Sequence, residues 1–524
     1  MSSRLRRLAL GLTVAFLPFS AMAQDLTVGL AGSITSIDPH YHNVGPNNTI
    51  AAHIFDRLVD QDEQQRLIPG LATSWKAIDD TTWEFKLRQG VTFHDGTPFG
   101  APDVLATFKR VPWVPNSPSS FSASVRPIAE VVVVDDLTLH FKTAKPAPLL
   151  ANDLASVNII SRKAVEAPTA EFNSGPAAIG TGPYKFVSFQ AGDRVVLARN
   201  DAYWGAKPHW KDVVVRVMPN NATRTAALLS GDVQIIDAVP SVDLAAIKKA
   251  PNLTMASITS NRLIYLHLDS FRDETPMVTD KAGQPLKANP LKDPKFRAAL
   301  SHAINRKAIV DRIFEGEAIA AGGFLPEGFF GASAKFQPDA YDVDLSKKLL
   351  AEAGFPNGLG MTIHGPSDRY PNADKVIQAI GPMFTRAGIE TKVQTQPWST
   401  YATQSAAPTY AFSVMLVGWG SGTGEISSPL RALVATPNKD KGWGASNRGR
   451  YSNPKLDAMI DEVMATIDDK KREALMQEAT ALAMQDHAII PLFYNVNSWA
   501  MKKGLTYAPR ADEYTYAMTV KPAG

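Results

Sequence analysis

The spacing of apolar and polar positions predicts strands in the first part of this chain. Residues 26–31 form a first expected strand, and residues 83–87 alternate between apolar and polar side chains as a half-buried strand does. Residues 131–134 and 137–141 flank Asp135-Asp136, which predicts a hairpin with an acidic turn. The block 63–177 is therefore expected to be rich in strands.

Helical spacing dominates the later part of the chain. Apolar residues at i, i+1, i+4, i+7 and i+8 predict one buried helix face: Val376, Ile377, Ile380, Met383 and Phe384. Further helices are predicted from Asn453-Pro454 and over 468–484, followed by a strand at 489–494. Strands that alternate with helices indicate an α/β fold, and the length of 524 residues indicates two to four domains.

The N-terminal residues have the pattern of a secretory peptide. Three arginines precede the apolar run 8–19, and Ala21-Met22-Ala23 supplies the small-x-small cleavage pattern. The run has about 12 residues, whereas about 20 are needed to span a bilayer. We expect cleavage after residue 23, with Gln24 as the mature N-terminus. An uncleaved anchor, and twin-arginine export through Arg6-Arg7, are the alternatives.

Composition excludes several classes of site. The chain has no cysteine, which rules out disulfides, thiolate metal sites and the cysteine that a bacterial lipoprotein needs at its mature N-terminus. Loss of the predicted peptide removes three arginines and leaves 51 basic side chains against 51 acidic ones. Such a neutral chain lacks the basic surface of a nucleic-acid binder. No nucleotide, zinc or nucleophile-elbow motif is present, so no cofactor is expected and an enzyme is the weaker alternative.

Eight short stretches, in this order over nearly the whole predicted mature chain, resemble the family 5 extracellular solute-binding proteins. These proteins are the dipeptide, oligopeptide, nickel and glutathione receptors of ABC importers. The matching stretches are Pro69-Gly70-Leu71-Ala72-Thr73-Ser74-Trp75, Leu87-Arg88-Gln89-Gly90-Val91-Thr92-Phe93-His94-Asp95-Gly96, Gly180-Thr181-Gly182-Pro183-Tyr184, Asn200-Asp201-Ala202-Tyr203-Trp204-Gly205, Asp293-Pro294-Lys295-Phe296-Arg297-Ala298-Ala299-Leu300, Ala303-Ile304-Asn305-Arg306, Leu349-Leu350-Ala351-Glu352-Ala353-Gly354-Phe355-Pro356-Asn357-Gly358 and Tyr451-Ser452-Asn453-Pro454.

The resemblance implies a two-lobed clamshell, the type II periplasmic binding fold, with a β-rich subdomain inserted in the first lobe. A ligand that touches both lobes would favour the closed state, which the permease of the inner membrane then recognises. The implied partners are thus a small solute and a permease, and we expect a periplasmic monomer. The implied boundaries are 24–62, 178–264 and 490–524 for the first lobe, 63–177 for the insertion and 265–489 for the second lobe, with a hinge near Tyr265 and Pro491.

The strand end at 418–425 is expected to contact the ligand. Dipeptide receptors have Gly-Trp-x-Gly-Asp-x-Gly-Asp here, and their first aspartate pairs with the ligand's α-amino group. Trp419 matches the tryptophan of this pattern, and its ring could cover an apolar face of the ligand or simply pack in the core; Gly420 follows it as a further candidate contact. Gly422 replaces the aspartate, and a buried ammonium without a partner is costly. Glu425 could supply the missing charge, or it could be a solvated loop residue. The spacing is closer to the glutathione-binding branch, so a peptide-like ligand is predicted.

Other site residues follow from the same resemblance. Arg369, followed by Tyr370, matches the arginine that clamps the ligand carboxylate, and the alternative is an ion pair with Asp368 or Asp374. The remaining candidates have turn, cap or core-packing roles as their alternatives. They are Ser33, Thr35, Asn47 and Asn48 after the first strand, Tyr265 and His267 near the hinge, and Trp398 and Tyr401 in the second lobe.

Two alternatives concern the ligand class. Asp38-Pro39-His40-Tyr41-His42 places two imidazoles two positions apart, which can share a metal ion. The same clamshell could instead bind an opine, a sugar-like solute or a metal chelate, or could serve as a periplasmic chaperone or sensor. Phe93-His94-Asp95-Gly96 is expected to be a turn.

Overall fold

The computed structural model describes residues 25–523, so the predicted secretory peptide and Gln24 lie outside the described residues. In chain order the strands are β1 (Asp25–Leu30), β2 (Val59–Gln61), β3 (Leu67–Pro69), β4 (Ala72–Asp79), β5 (Thr82–Leu87), β6 (Ile128–Asp135), β7 (Thr138–Thr143), β8 (Tyr184–Gln190), β9 (Arg194–Arg199), β10 (Asp212–Val217), β11 (Ile235–Ile236), β12 (Leu253–Leu268), β13 (Val278–Thr279), β14 (Ala318–Ala320), β15 (Leu359–Pro366), β16 (Ile389–Gln396), β17 (Val414–Gly420), β18 (Ile490–Lys502), β19 (Leu505–Thr506) and β20 (Lys521–Pro522). The α-helices are α1 (Gly45–Ile54), α2 (Ala101–Arg110), α3 (Ser122–Val125), α4 (Leu150–Leu154), α5 (Thr169–Ser174), α6 (Asn221–Ser230), α7 (Ser241–Lys249), α8 (Pro294–His302), α9 (Arg306–Ile313), α10 (Val343–Glu352), α11 (Ala373–Arg386), α12 (Trp398–Ser405), α13 (Ser427–Pro429), α14 (Pro454–Ala465) and α15 (Asp469–Gln485).

One mixed sheet runs through both halves of the described molecule. Its order is β13-β15-β17-β12-β18-β11-β1-β10-β9-β8, with β16 beside β15 and β14 beside β18. We call the part built on β1 and β8–β11 the first lobe and the part built on β13–β17 the second lobe. The two long strands β12 and β18 belong to both lobes, so they join them.

The β12–β18 ladder changes register where the two lobes meet. It runs from Leu253 opposite Lys502 to Leu266 opposite Ile490, and it is irregular between Thr259 and Leu263 and again between Ile264 and Tyr265. From within the first irregularity onward β12 also pairs with β17, starting with Arg262 opposite Gly420. The lobes therefore cross at about residues 260–265. That this crossing acts as the hinge stays a prediction.

The predicted strand at 489–494 was too short, because β18 continues to Lys502. Its extension contains Asn495, Asn497 and Ser498, which interrupt the apolar pattern that marks a strand. The side chain of Asn497 is occupied by the backbone carbonyls of Arg510 and Ala511, at 3.1 and 3.3 Å. Asn497 thus ties β18 to the segment at 510–511.

The block 63–177 contains a separate antiparallel sheet of order β4-β5-β7-β6, which confirms the predicted strand at 83–87 and the predicted hairpin. The Asp135 carboxylate accepts a hydrogen bond from the Leu137 N–H at 2.9 Å and so closes the acidic turn. Phe85 and Phe141 are fully buried and contact edge to face, with ring centroids 5.0 Å apart. We call this block the inserted block; its boundaries and those of the lobes remain predictions.

The predicted helices of the second lobe are confirmed with small shifts at their ends. All five apolar residues of the expected face on α11 are buried. The Asn453 side chain caps α14 by accepting hydrogen bonds from the N–H groups of Lys455 and Leu456. Of these helices, α11 packs on β15 and β16. The expected ligand residues Arg369 and Trp419 lie after β15 and near the end of β17.

Candidate functional site

The end of β17 is a close-packed strand end that leads into an open loop. A Cβ atom at Gly418 would lie 2.7 Å from the Ile264 side chain and 2.8 Å from the Tyr370 ring, so a larger residue there would displace these side chains. At Gly422 no atom lies within 4 Å of such a Cβ. Strand packing therefore favours glycine at position 418, whereas Gly422 leaves open space where dipeptide receptors have their aspartate.

Trp419, near the end of β17, is half-buried. Its ring packs against the core of the second lobe. Its indole N–H is buried and has no hydrogen-bond partner among the described residues. A buried donor without a partner is unfavourable, so an acceptor supplied by a ligand would stabilise this position.

Arg369 lies in the loop between β15 and α11, and its side chain is exposed. Its guanidinium carbon is 5.5 Å from the ring centre of Tyr370 and 5.6 Å from that of Trp398. The Asp368 carboxylate accepts a hydrogen bond from the Trp398 N–H at 2.7 Å. Within residues 25–523, no carboxylate lies within 4.0 Å of the Arg369 guanidinium, so the alternative pairing with Asp368 or Asp374 is not formed. The guanidinium rests on two aromatic rings, where a ligand carboxylate could reach it.

Tyr370 and Tyr401 support the site by hydrogen bonds to the backbone of β17. The Tyr370 hydroxyl donates to the Gly418 carbonyl at 3.3 Å, and the Tyr401 hydroxyl donates to the carbonyl of Leu416 at 2.9 Å. Tyr401 is fully buried, and so are Tyr265 and His267 on β12. All three side chains therefore lie in the core, in agreement with the core-packing alternative. A ligand contact by Tyr265 stays a prediction.

Glu425 is neither solvated nor free. Both of its carboxylate oxygens lie 2.9 Å from Nη1 of Arg472, and Ser427 Oγ donates to one of them. The side chains of Glu425 and Arg472 are only 1% and 4% exposed. This buried ion pair fixes the loop to α15, so Glu425 is committed to structure in the arrangement described.

The candidates of the first lobe lie together after β1. Ser33 and Thr35 are exposed, whereas Asn47 is buried. The Asn47 amide accepts from the Thr35 N–H and donates to its hydroxyl, each at 2.9 Å. The Asn48 side chain donates to the Tyr514 hydroxyl at 3.0 Å. Thr35 and Asn47 thus hold the loop that presents Ser33.

The Asp38–His42 segment is held by protein partners. Arg110 donates to both oxygens of Asp38, at 2.9 and 2.7 Å. His40 Nε2 bonds to the Asn158 carbonyl at 2.7 Å, and burial together with Arg110 lowers the pKa of His40 to about 4. His42 Nδ1 bonds to the Thr35 hydroxyl. Among residues 25–523, no group of three or more side chains is arranged to hold a metal ion. Phe93–Gly96 is the expected turn, closed by the Gly96 N–H on the Phe93 carbonyl at 2.9 Å.

Sequence reasoning missed an ion pair beside the strand end. Arg262 donates to the two carboxylate oxygens of Glu513 at 2.8 and 2.9 Å. A Cβ at Gly420 would lie 3.3 Å from the Arg262 guanidinium, which places the pair next to the candidate site. Burial would raise the pKa of Glu513, but Arg262 and, more weakly, Arg369 lower it. The two residues are 251 positions apart, so no local pattern could reveal the pair.

Comparison with known proteins identifies the chain's relatives. The family described as "Bacterial extracellular solute-binding proteins, family 5 Middle" matches residues 66–441. The glutathione-binding protein GsiB from Shigella dysenteriae serotype 1 is 28% identical over 508 residues, covering 95% of this chain and 94% of GsiB.

Two solved structures share the fold. The ABC transporter-associated periplasmic binding protein DppA from Helicobacter pylori, in complex with a peptide, has a TM-score of 0.75 at 24% identity and covers 95% of this chain and 98% of its own. The periplasmic binding protein AgaA from A. tumefaciens R10, in complex with agropinic acid, has a TM-score of 0.72 at 24% identity and covers 95% and 99%.

These matches extend over almost the whole chain and agree with the two-lobed architecture. In the described part, no helix is both long enough and apolar enough to cross a bilayer. The chain belongs to the family 5 bacterial extracellular solute-binding proteins, and it is a solute-binding component of an ABC importer, not an enzyme.

Proposed function

We propose that this protein captures a peptide-like solute of the glutathione type, bearing at least one carboxylate, between its two lobes. The observation that carries the proposal is Arg369. Its guanidinium lies on the rings of Tyr370 and Trp398 and forms no ion pair in the described part of the chain. A planar guanidinium binds a carboxylate through two parallel hydrogen bonds, which suits a peptide C-terminus.

The loop after β17 argues against ordinary dipeptides. Gly422 offers no side chain for an α-ammonium group, and Glu425 is occupied by Arg472. A ligand whose ammonium stays near solvent, or whose amine is modified, avoids the cost of burying an unpaired charge. The similarity to GsiB over 95% of the chain supports a glutathione-type ligand.

We further propose that residues 1–23 are removed on export, and that the protein acts in the periplasm as a monomer without a lipid anchor. The lack of cysteine supports the missing anchor, because a bacterial lipoprotein carries its lipid on a cysteine at the mature N-terminus. The closed form would deliver its solute to a permease in the inner membrane.

The test begins with native mass spectrometry of the protein purified from the periplasm, since a tightly held solute survives as a mass excess. Calorimetry then compares glutathione, dialanine and agropinic acid. We expect binding of glutathione and no binding of dialanine. The proposed ligand class is wrong if mass spectrometry finds a retained metal chelate or opine. It is also wrong if calorimetry detects binding of agropinic acid alone. Arg386→Ala, which removes an exposed arginine at the far end of α11, is the matched control for Arg369→Ala.

A further inference from the structure

The inserted block contacts the loop that follows β17. The Asn152 side chain on α4 donates a hydrogen bond to the Thr423 carbonyl at 3.0 Å. Two positions earlier, the Ser421 carbonyl accepts from the side chains of Asn261 at 2.7 Å and Gln65 at 3.3 Å. The two carbonyls that accept these bonds lie on either side of Gly422. The loop is therefore held by side chains that are not themselves candidate ligand contacts.

The contact is close-packed on both sides. A Cβ at Gly424 would lie 2.7 Å from the Gln65 Cβ, and Gly424 has a φ of +68°. Behind the loop, the buried pair of Glu425 and Arg472 fixes it to α15 of the second lobe. The loop is therefore a rigid part of the second lobe, and its carbonyls face the inserted block.

Charged groups surround the same contact. The Asp153 carboxylate, next to Asn152, accepts no hydrogen bond from the described residues, and it interacts electrostatically with Arg431 and Glu425 of the second lobe. Burial raises the pKa of Asp153 to about 7; Arg431 opposes this rise and Glu425 adds to it. Arg472, on α15, is already paired with Glu425 and Asp469. An ionised Asp153 carboxylate therefore has too little positive charge around it to offset its burial where α4 meets the second lobe.

We infer that α4 is a latch through which the inserted block takes part in closing the clamshell. Asn261 lies at the crossing of the lobes, so its bond to Ser421 changes least when they rotate apart. Asn152 approaches Thr423 from the inserted block, and a rotation about the crossing separates these two residues. The Asn152–Thr423 bond is then made only in the closed state, and it raises ligand affinity without touching the ligand.

The lack of cysteine allows a direct test, because two introduced thiols can be labelled without background. Asp80→Cys, in the turn after β4, and Lys347→Cys, on α10, are exposed positions on the two sides. Fluorescence energy transfer between them reports the closed fraction, with and without saturating glutathione. The choice of glutathione as probe rests on the proposed function, whereas the ligand-free measurement does not.

We expect Asn152→Ala to lower the ratio of closed to open protein about threefold to tenfold, the range for one neutral hydrogen bond. Release of glutathione should accelerate by a similar factor, while the urea midpoint of the ligand-free protein stays unchanged. Gln89→Ala removes an exposed amide of the same block and should change none of these quantities.

The outcomes separate the latch from the ligand. The latch is overturned if wild type and Asn152→Ala have the same closed fraction under every condition in which either protein closes. It is also overturned if the wild type never closes without ligand and releases glutathione as fast as the variant does. If glutathione binds neither protein, the proposed ligand is wrong. In that case a lower ligand-free closed fraction in Asn152→Ala still supports the latch, and equal or undetectable closed fractions overturn it.

Discussion

Replacing Glu425 with glutamine removes the negative partner of a buried ion pair. Arg472 then keeps its charge with a side chain only 4% exposed, and its remaining carboxylate contact is Asp469, whose side chain is 73% exposed. Breaking a buried pair from one side costs about 3–5 kcal/mol. Because Asp469 still contacts Nη2 of Arg472 at 2.8 Å, we expect the lower end, about 3 kcal/mol.

The assay is calorimetric unfolding of the ligand-free protein. For a folding unit of the predicted size of the second lobe, each kcal/mol corresponds to about 2–4 °C, so Glu425→Gln should lower the melting temperature of that unit by about 6–12 °C. Asp469→Asn is the control, because an exposed ion pair contributes only about 0–1 kcal/mol. Arg472→Met combined with Glu425→Gln should cost less than the two single changes together, because no unpaired charge is left buried.

One result would refute this reasoning. If Glu425→Gln melts like the wild type but no longer binds glutathione, the carboxylate serves the ligand and not the loop. The ion pair with Arg472 would then be exchanged for a ligand contact on binding, as the sequence comparison with dipeptide receptors first suggested.

Three further predictions concern the ligand and closure. Gly422→Asp places a carboxylate in open space, so calorimetry should detect dialanine binding that the wild type lacks; continued absence of binding would contradict the assigned position of the amine anchor. Arg369→Ala should weaken glutathione binding at least about a hundredfold at unchanged melting temperature, whereas Arg386→Ala should not; equal affinities would remove Arg369 from the site. The pKa of Asp153 rises from 3.8 to about 7 at the latch, so its ionisation opposes closure. Affinity should therefore fall as pH rises from about 4 to about 7, less steeply in Asp153→Asn; identical pH profiles would exclude Asp153.

Local patterns predicted the elements whose partners are local. The face of α11 repeats with the helical period, and all five of its apolar residues are buried. The hairpin of β6 and β7 follows from two apolar runs and an acidic turn. In both cases the residues that pack together lie within about twenty positions, so spacing alone carries the information.

The site depends on partners that no spacing shows. Glu425 meets Arg472 from 47 positions away, and the Asp368 carboxylate that could have paired with Arg369 is instead bonded to the N–H of Trp398. The resemblance therefore placed Arg369 and Trp419 near the ligand by analogy. Whether a given side chain is free or committed became visible only in three dimensions.

The first lobe combines residues from the two extremes of the described chain. Its core contains Leu26 together with Trp499 and Val520, each 1% exposed or less. During synthesis, hundreds of residues are therefore made between Leu26 and Val520, and the lobe cannot complete this core until residue 520 has been made. A chain that stops before residue 499 would carry every predicted ligand residue from Ser33 to Glu425. It would still lack part of the first-lobe core that holds one side of the solute site in place.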